Sequence, residues 1–317
     1  MLIQTINFFD AIFKYDFLMR ALITCLIVGI VCGIVGVFIV LKKLVFMGAG
    51  IAHASFAGGA LGLLLSINPF FTILLFGSGS AMSIGYINDK GYVEDKNVAV
   101  GVIFSLTMAL GVLFVTLNPT YNVAVYALLF GNALTVTTED FILLLLFAVL
   151  IVAIIYFMKK ELFFSTFDEE MARSVGLPVR FLNYIFLLLI SLAIVISIKA
   201  IGALLVFAMI VTPAAAAYQW SYKFNKIIYL SVIFGMISSF IGLYFSFVYD
   251  LPSGSCICIT VSIIFLFSMV FSPKHRTGKA TGFQHAETCD VCIKADYKSE
   301  CKICSEIEQD MKIQKEN

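Results

Sequence analysis

The chain has 317 residues, 61% of them hydrophobic and 13% charged, with a formal net charge of +1, and its mean hydropathy is +1.01. Soluble domains carry about 25% charged residues, so this composition excludes a soluble globular enzyme and requires an integral membrane protein.

The charge is unevenly placed. Residues 273–317 hold 8 of the 21 Lys+Arg, 8 of the 20 Asp+Glu, two of the three His and four of the eight Cys. Two parts are expected: a membrane body, 1–272, and a polar tail, 273–317. The net charge names no partner, and no nucleic-acid partner is expected. A cleavable signal peptide is not expected either. Met1 to Asp16 lacks a basic n-region, and the apolar run after it exceeds signal length.

In chain order, the first apolar run long enough to span covers about 17–41, preceded by a short interfacial piece at Asp10–Tyr15. A crossing helix needs about 20 residues. The run carries Gly29, Gly33 and Gly36, and its Cys25 and Cys32 are expected to pack in the core. The second run, 47–67, is rich in small residues, which let neighbouring backbones approach closely. It contains His53, the only histidine of the body. An imidazole there is costly to bury without a partner or a wet cavity. It either bonds a neighbouring helix and does nothing else, or serves as a ligand for a first-row transition metal.

Runs at 69–87 and 97–118 follow. The stretch 121–135 is too short and too polar at its ends for a span, so a re-entrant or interfacial piece is expected. The run 139–158 leads into the longest connection, 159–180. There Asp168 is expected to cap a short helix, with Glu169 and Glu170 in its first turn, Met171 and Val175 on one face and Gly176 as its stop. This is either a solvated connector or a docking helix for a cytosolic partner, because its apolar face has no core of its own to enter. Further runs cover 181–199, 201–220, 226–248 and 254–272, giving eight or nine spans. Pro213, within the last-but-two run, reads equally as a tolerated kink or as a hinge.

Basic residues orient the body. Loops 42–46, 88–96, 159–180 and 221–226 carry ten Lys and Arg, against Lys14, Arg20 and Lys199 on the other side. The first set is therefore expected in the cytoplasm, and with nine spans the tail joins it. No Asp or Glu falls well inside a run. Gradient-driven transporters keep ionisable groups at mid-membrane, so an energy source on another subunit is expected. The tail contains Cys289, Cys292, Cys301 and Cys304 as two Cys-x2-Cys pairs. Reduced cytosolic thiols in this pattern suit tetrahedral zinc, with an iron–sulfur cluster or a metal-free tail as alternatives.

Six segments in this order resemble the membrane subunit of the zinc/manganese/iron ABC importers. They are Gly29–Val40, the His53 segment, Leu129-Phe130-Gly131-Asn132, the helix 168–176, Ile201–Val206 leading to Thr212–Ala217, and Asp250–Gly254. The resemblance covers about residues 17–272. It implies an all-α, polytopic transmembrane bundle of 8–9 spans with a short cytoplasmic coupling helix. It also implies a permease paired with a second copy of itself, a cytosolic ABC ATPase seated on Asp168, Glu169, Glu170, Met171 and Gly176, and an extracytoplasmic metal-binding protein. His53 then lies on the permeation path. The family pattern carries an Asp four residues before this histidine, where this chain has Ala49. Asp250, Cys256 or Cys258 are the candidates to replace it.

The expected function is that of the permease subunit of an ATP-driven importer of divalent zinc, manganese or iron in a bacterial plasma (inner) membrane, with no catalysis of its own. Ala49 shifts the expected cargo slightly away from manganese, which favours oxygen donors. An ion-gradient-driven transporter, or a membrane metal sensor acting through the cysteine tail, are the alternatives. The permease itself is expected to hold no intrinsic cofactor, and the tail to hold a structural or regulatory zinc.

Overall fold

The computed structural model describes residues 12, 14–92, 96–117, 123–131, 133, 136–167 and 169–272. The tail cysteines and Asp168 lie outside them, as do Asp10, Ala11 and Phe13 of the interfacial piece before the first span. The chain divides into two units, Met1–Ser268 and Met269–Asn317. The first holds the bundle.

Twelve helices are described: α1 (Asp16–Leu41), α2 (Val45–Leu64), α3 (Pro69–Asp89), α4 (Lys96–Leu117), α5 (Val123–Phe130), α6 (Thr138–Phe157), α7 (Lys159–Phe167), α8 (Glu169–Ser174), α9 (Val179–Ile201), α10 (Ala203–Trp220), α11 (Phe224–Tyr249) and α12 (Ser253–Val270). Eight are long and apolar enough to cross a membrane: α1, α2, α3, α4, α6, α9, α11 and α12. The expected ninth span is α10, a shorter apolar helix. Ala203, Val206, Met209, Ile210, Ala214, Ala216 and Ala217 of α10 are buried among other helices, so its length need not match a lipid layer. It runs through Pro213 without a break.

Local chemistry sets the helix ends. Asn68 caps α3 by accepting from the Phe70 amide at 3.0 Å, with Pro69 in the first turn, where its missing N–H costs nothing. Thr137 caps α6 by accepting from the Asp140 amide at 3.2 Å, and Glu139 and Asp140 add negative charge where the helix dipole favours it. Between α9 and α10 the chain turns at Gly202, whose φ of +93° suits glycine.

Lipid tails are as apolar as the side chains, so close packing holds such a bundle together. α1 is central and packs against α11, α10, α9 and α6, while α2 packs against α3 and α4. The α1 contacts reach backbone distance. A Cβ on Gly29 would stand 2.8 Å from the Gly235 carbonyl oxygen, and one on Gly36 would collide with the Ile210 carbonyl. Cys25 and Cys32 are buried in the core, as expected. The Cys32 thiol lies 3.4 Å from the Ser197 hydroxyl of α9.

The stretch at 121–135 contains α5, a short helix packed against α10, α2 and α9. The connection 159–180 holds two helices, not the single one the sequence suggests. α7 is the additional one, with Leu162 and Ser165 buried. Its sequence, Lys-Lys-Glu-Leu-Phe-Phe-Ser-Thr-Phe, has too few apolar positions for a span and too weak a periodicity to stand out in a polar loop.

Candidate functional site

His53 sits midway along α2, within a run of buried small residues. Its ring is half-buried and meets Phe104 of α4 edge-on, with centroids 4.8 Å apart and planes at 87°. The buried Nδ1 has no hydrogen-bond partner among the described residues. A buried polar atom without a partner is unusual, and it invites water or a ligand. The bond to a neighbouring helix, the bland expectation for this residue, is therefore not made at Nδ1. Ala49 lies one turn earlier on the same helix and offers no donor atom.

The candidates to replace that donor are placed elsewhere in the fold. Asp250 is exposed and ends α11 in a left-handed conformation, φ +55° and ψ 38°. The turn after it is closed by the Ser246 hydroxyl, which donates to the Leu251 carbonyl at 2.7 Å. Cys256 and Cys258 are both buried in α12, and the Cys258 thiol donates to the Leu205 carbonyl of α10 at 3.3 Å. Among the described residues no group of three or more His, Cys, Asp or Glu comes together. His53 is thus not joined to these candidates in a ready ligand cage.

α8 closes with a double hydrogen-bonded C-cap. The Gly176 amide donates to the Arg173 carbonyl at 2.9 Å, and the Leu177 amide to Ala172 at 3.0 Å. This pattern needs a left-handed residue at its centre, and Gly176 supplies it at φ +86°. The small Ala172 faces inward, whereas Met171 and Val175 are 58% and 70% exposed. The shared apolar face expected for Met171 and Val175 is thus presented outward.

Beside α8 the structure adds a network that the sequence did not suggest. The Lys42 ammonium, at the C-terminus of α1, donates to Asn183 Oδ1 of α9 at 2.7 Å and to Ser165 Oγ of α7 at 3.1 Å. It also stands 5.1 Å from the centre of the Phe186 ring. Asn183 Nδ2 in turn donates to Glu169 Oε1 of α8 at 3.3 Å. Hydrogen bonds from a charged donor contribute about 1.5–3 kcal/mol each, so this half-buried ammonium is well compensated. The only sequence signal was Lys42 itself, counted as one of ten loop cations. Nearby, Arg180 pairs with Asp89 at 3.2 Å, but its 73% exposure makes that pair worth little.

The sequence pattern of the ABC 3 transport family matches residues 14–272. The chain is similar to Manganese transport system membrane protein MntC of Listeria innocua, 38% identical over 267 residues, which are 84% of this chain and 95% of that protein. It is also similar to Manganese import system permease protein ScaB of Streptococcus parasanguinis, 33% identical over 273 residues, with 86% of this chain and 97% of that protein covered. The solved structure of PsaBC from Streptococcus pneumoniae in complex with Fab matches with a TM-score of 0.78 at 34% identity, covering 87% of this chain and 99% of that one. A multi-pass bundle with these relatives is the permease of a metal ABC transporter, and the chain belongs to the ABC 3 transport family.

Proposed function

We propose that this permease imports manganese, driven by ATP hydrolysis on a separate cytosolic ATPase, and that it performs no chemistry itself. The similarity along 84% of the chain to a manganese transport protein carries the choice of metal. It outweighs the slight shift away from manganese that Ala49 suggested, since one residue of a ligand set constrains the cargo less than similarity along the whole body. Zinc and iron, which also accept imidazole, are the competing cargoes.

Two copies of the chain form the pore. An extracytoplasmic binding protein delivers the ion, which passes His53 on its way to the cytosol. The orphaned Nδ1 supports a transient contact, since a carrier must bind weakly enough to release. Asp250, exposed at the end of α11, is the proposed first acidic contact on the outer face. At the cytoplasmic face α8 and its Gly176 stop seat in the ATPase, with Asp168, Glu169, Glu170 and Met171 as contacts. In the tail, Cys289, Cys292, Cys301 and Cys304 hold one zinc, a closed four-thiolate set that retains its ion and does not pass it on.

The reading is tested in cells stripped of their own manganese uptake. The chain expressed with its ATPase and binding protein restores accumulation of manganese, and omission of the ATPase abolishes it. Restoration of zinc uptake alone would reassign the cargo.

A further inference from the structure

We propose that Lys42 and Asn183 form a polar relay that carries movement of α8 into α1 and α9, making them the residues that convert closure of the ATPase into movement of the bundle. The proposal rests on the reading of α8 as the docking element.

The relay joins four helices through two side chains. Glu169 begins α8 and accepts from Asn183, and Asn183 accepts from Lys42. An amide suits the middle position, because one end donates to a carboxylate while the other accepts from an ammonium. Lys42 also ties in α7 through Ser165, which is buried. As the C-cap residue of α1, Lys42 places its charge where the helix dipole favours a cation. A displacement of Glu169 thus pulls on the last turn of α1 and the first turns of α9 by way of charge-assisted bonds.

α1 is built to pass that displacement on. Its glycines bring it to backbone contact with α11 at Gly235 and with α10 at Ile210. Interlocked backbones do not slide past one another smoothly, so the end of α1 moves together with α10 and α11. α9 packs against α3 through side chains, with the Leu187 tip 2.6 Å from where a Cβ on Gly85 would stand.

The relay also has room to rearrange. A cavity of about 570 Å³ borders it, lined by Lys42, Ser165, Glu169 and Asn183 among others. The other charged groups on that cavity are Lys43, Asp89, Arg173 and Arg180. Of these, Asp89 pairs with Arg180 at 3.2 Å. A bridge packed on all sides would act as a fixed brace. One that borders an open cavity can change length and direction as α8 moves.

The test uses the full complex of permease, ATPase and binding protein in proteoliposomes, reading manganese transported per ATP hydrolysed. Lys42→Met and Asn183→Leu leave the ATPase bound and hydrolysing, while transport per ATP falls about fivefold or more, the lower end of couplings between sites. Lys42→Arg keeps the charge and most of the yield. An unchanged ratio in both variants overturns the relay, and so does loss of the ATPase from the complex, which would make these residues part of the docking surface. If Lys42→Met does not reach the membrane, Asn183→Leu decides alone, because it leaves the charge in place. Failure of the underlying docking reading looks different: Glu169→Lys with Glu170→Lys would then leave the ATPase bound.

Discussion

His53 offers one nitrogen donor in a stretch of Gly, Ala and Ser, with the Phe104 ring edge-on against it. Replacing it by Ala removes a side chain that makes no hydrogen bond through Nδ1, so the fold has little to lose there. Membrane levels of His53→Ala are expected near normal while manganese uptake falls tenfold or more, on the order of 1.4 kcal/mol per decade. Full uptake would remove the imidazole from the path. Protons compete with the metal for the imidazole, so uptake also declines in acid. Gly36 is the opposite case, a residue whose role is only space. Gly36→Val must push α1 from the Ile210 carbonyl, and overpacking of this kind costs about 1–3 kcal/mol. Thermal unfolding in detergent should show a clearly lowered midpoint, and an unchanged one would contradict the packing. His53 was legible because a lone imidazole in an apolar run is conspicuous. The partner of Gly36 was not, since no local pattern says which helix comes closest.

Among the helices, long apolar runs were the easiest to read, because about 20 apolar residues leave few alternatives. α8 was also legible from Glu169 to the Gly176 stop, which combine acidic first-turn residues with a glycine terminator. α7 was missed, since it owes its place to packing of Leu162 and Ser165 against the bundle more than to its own sequence. The relay at Lys42 and Asn183 joins residues 141 positions apart, beyond the reach of any spacing rule. For α8 itself, Glu169→Lys with Glu170→Lys, or Met171→Gly, is expected to weaken co-purification of the ATPase while membrane insertion stays intact. The glycine variant adds about 1 kcal/mol of helix cost in a six-residue helix, so it tests order, and the charge reversals test contact. Undiminished co-purification in both would take α8 out of the docking role.

The body and the tail make separate demands. The family pattern ends at residue 272, so the tail's cysteines lie outside it and their assignment rests on donor chemistry. The full chain purified under reducing conditions is expected to carry one zinc, lost on Cys292→Ser with Cys301→Ser and weakened in acid as thiolates protonate. Zinc-free protein would end that assignment without touching the permease. For the body, the proposed movement of manganese through this bundle by ATP on another subunit is tested by reconstituting the permease with its ATPase and binding protein in sealed vesicles. Manganese accumulation that requires ATP and survives collapse of the proton gradient is expected. Accumulation that needs no ATP and vanishes with the gradient would contradict it.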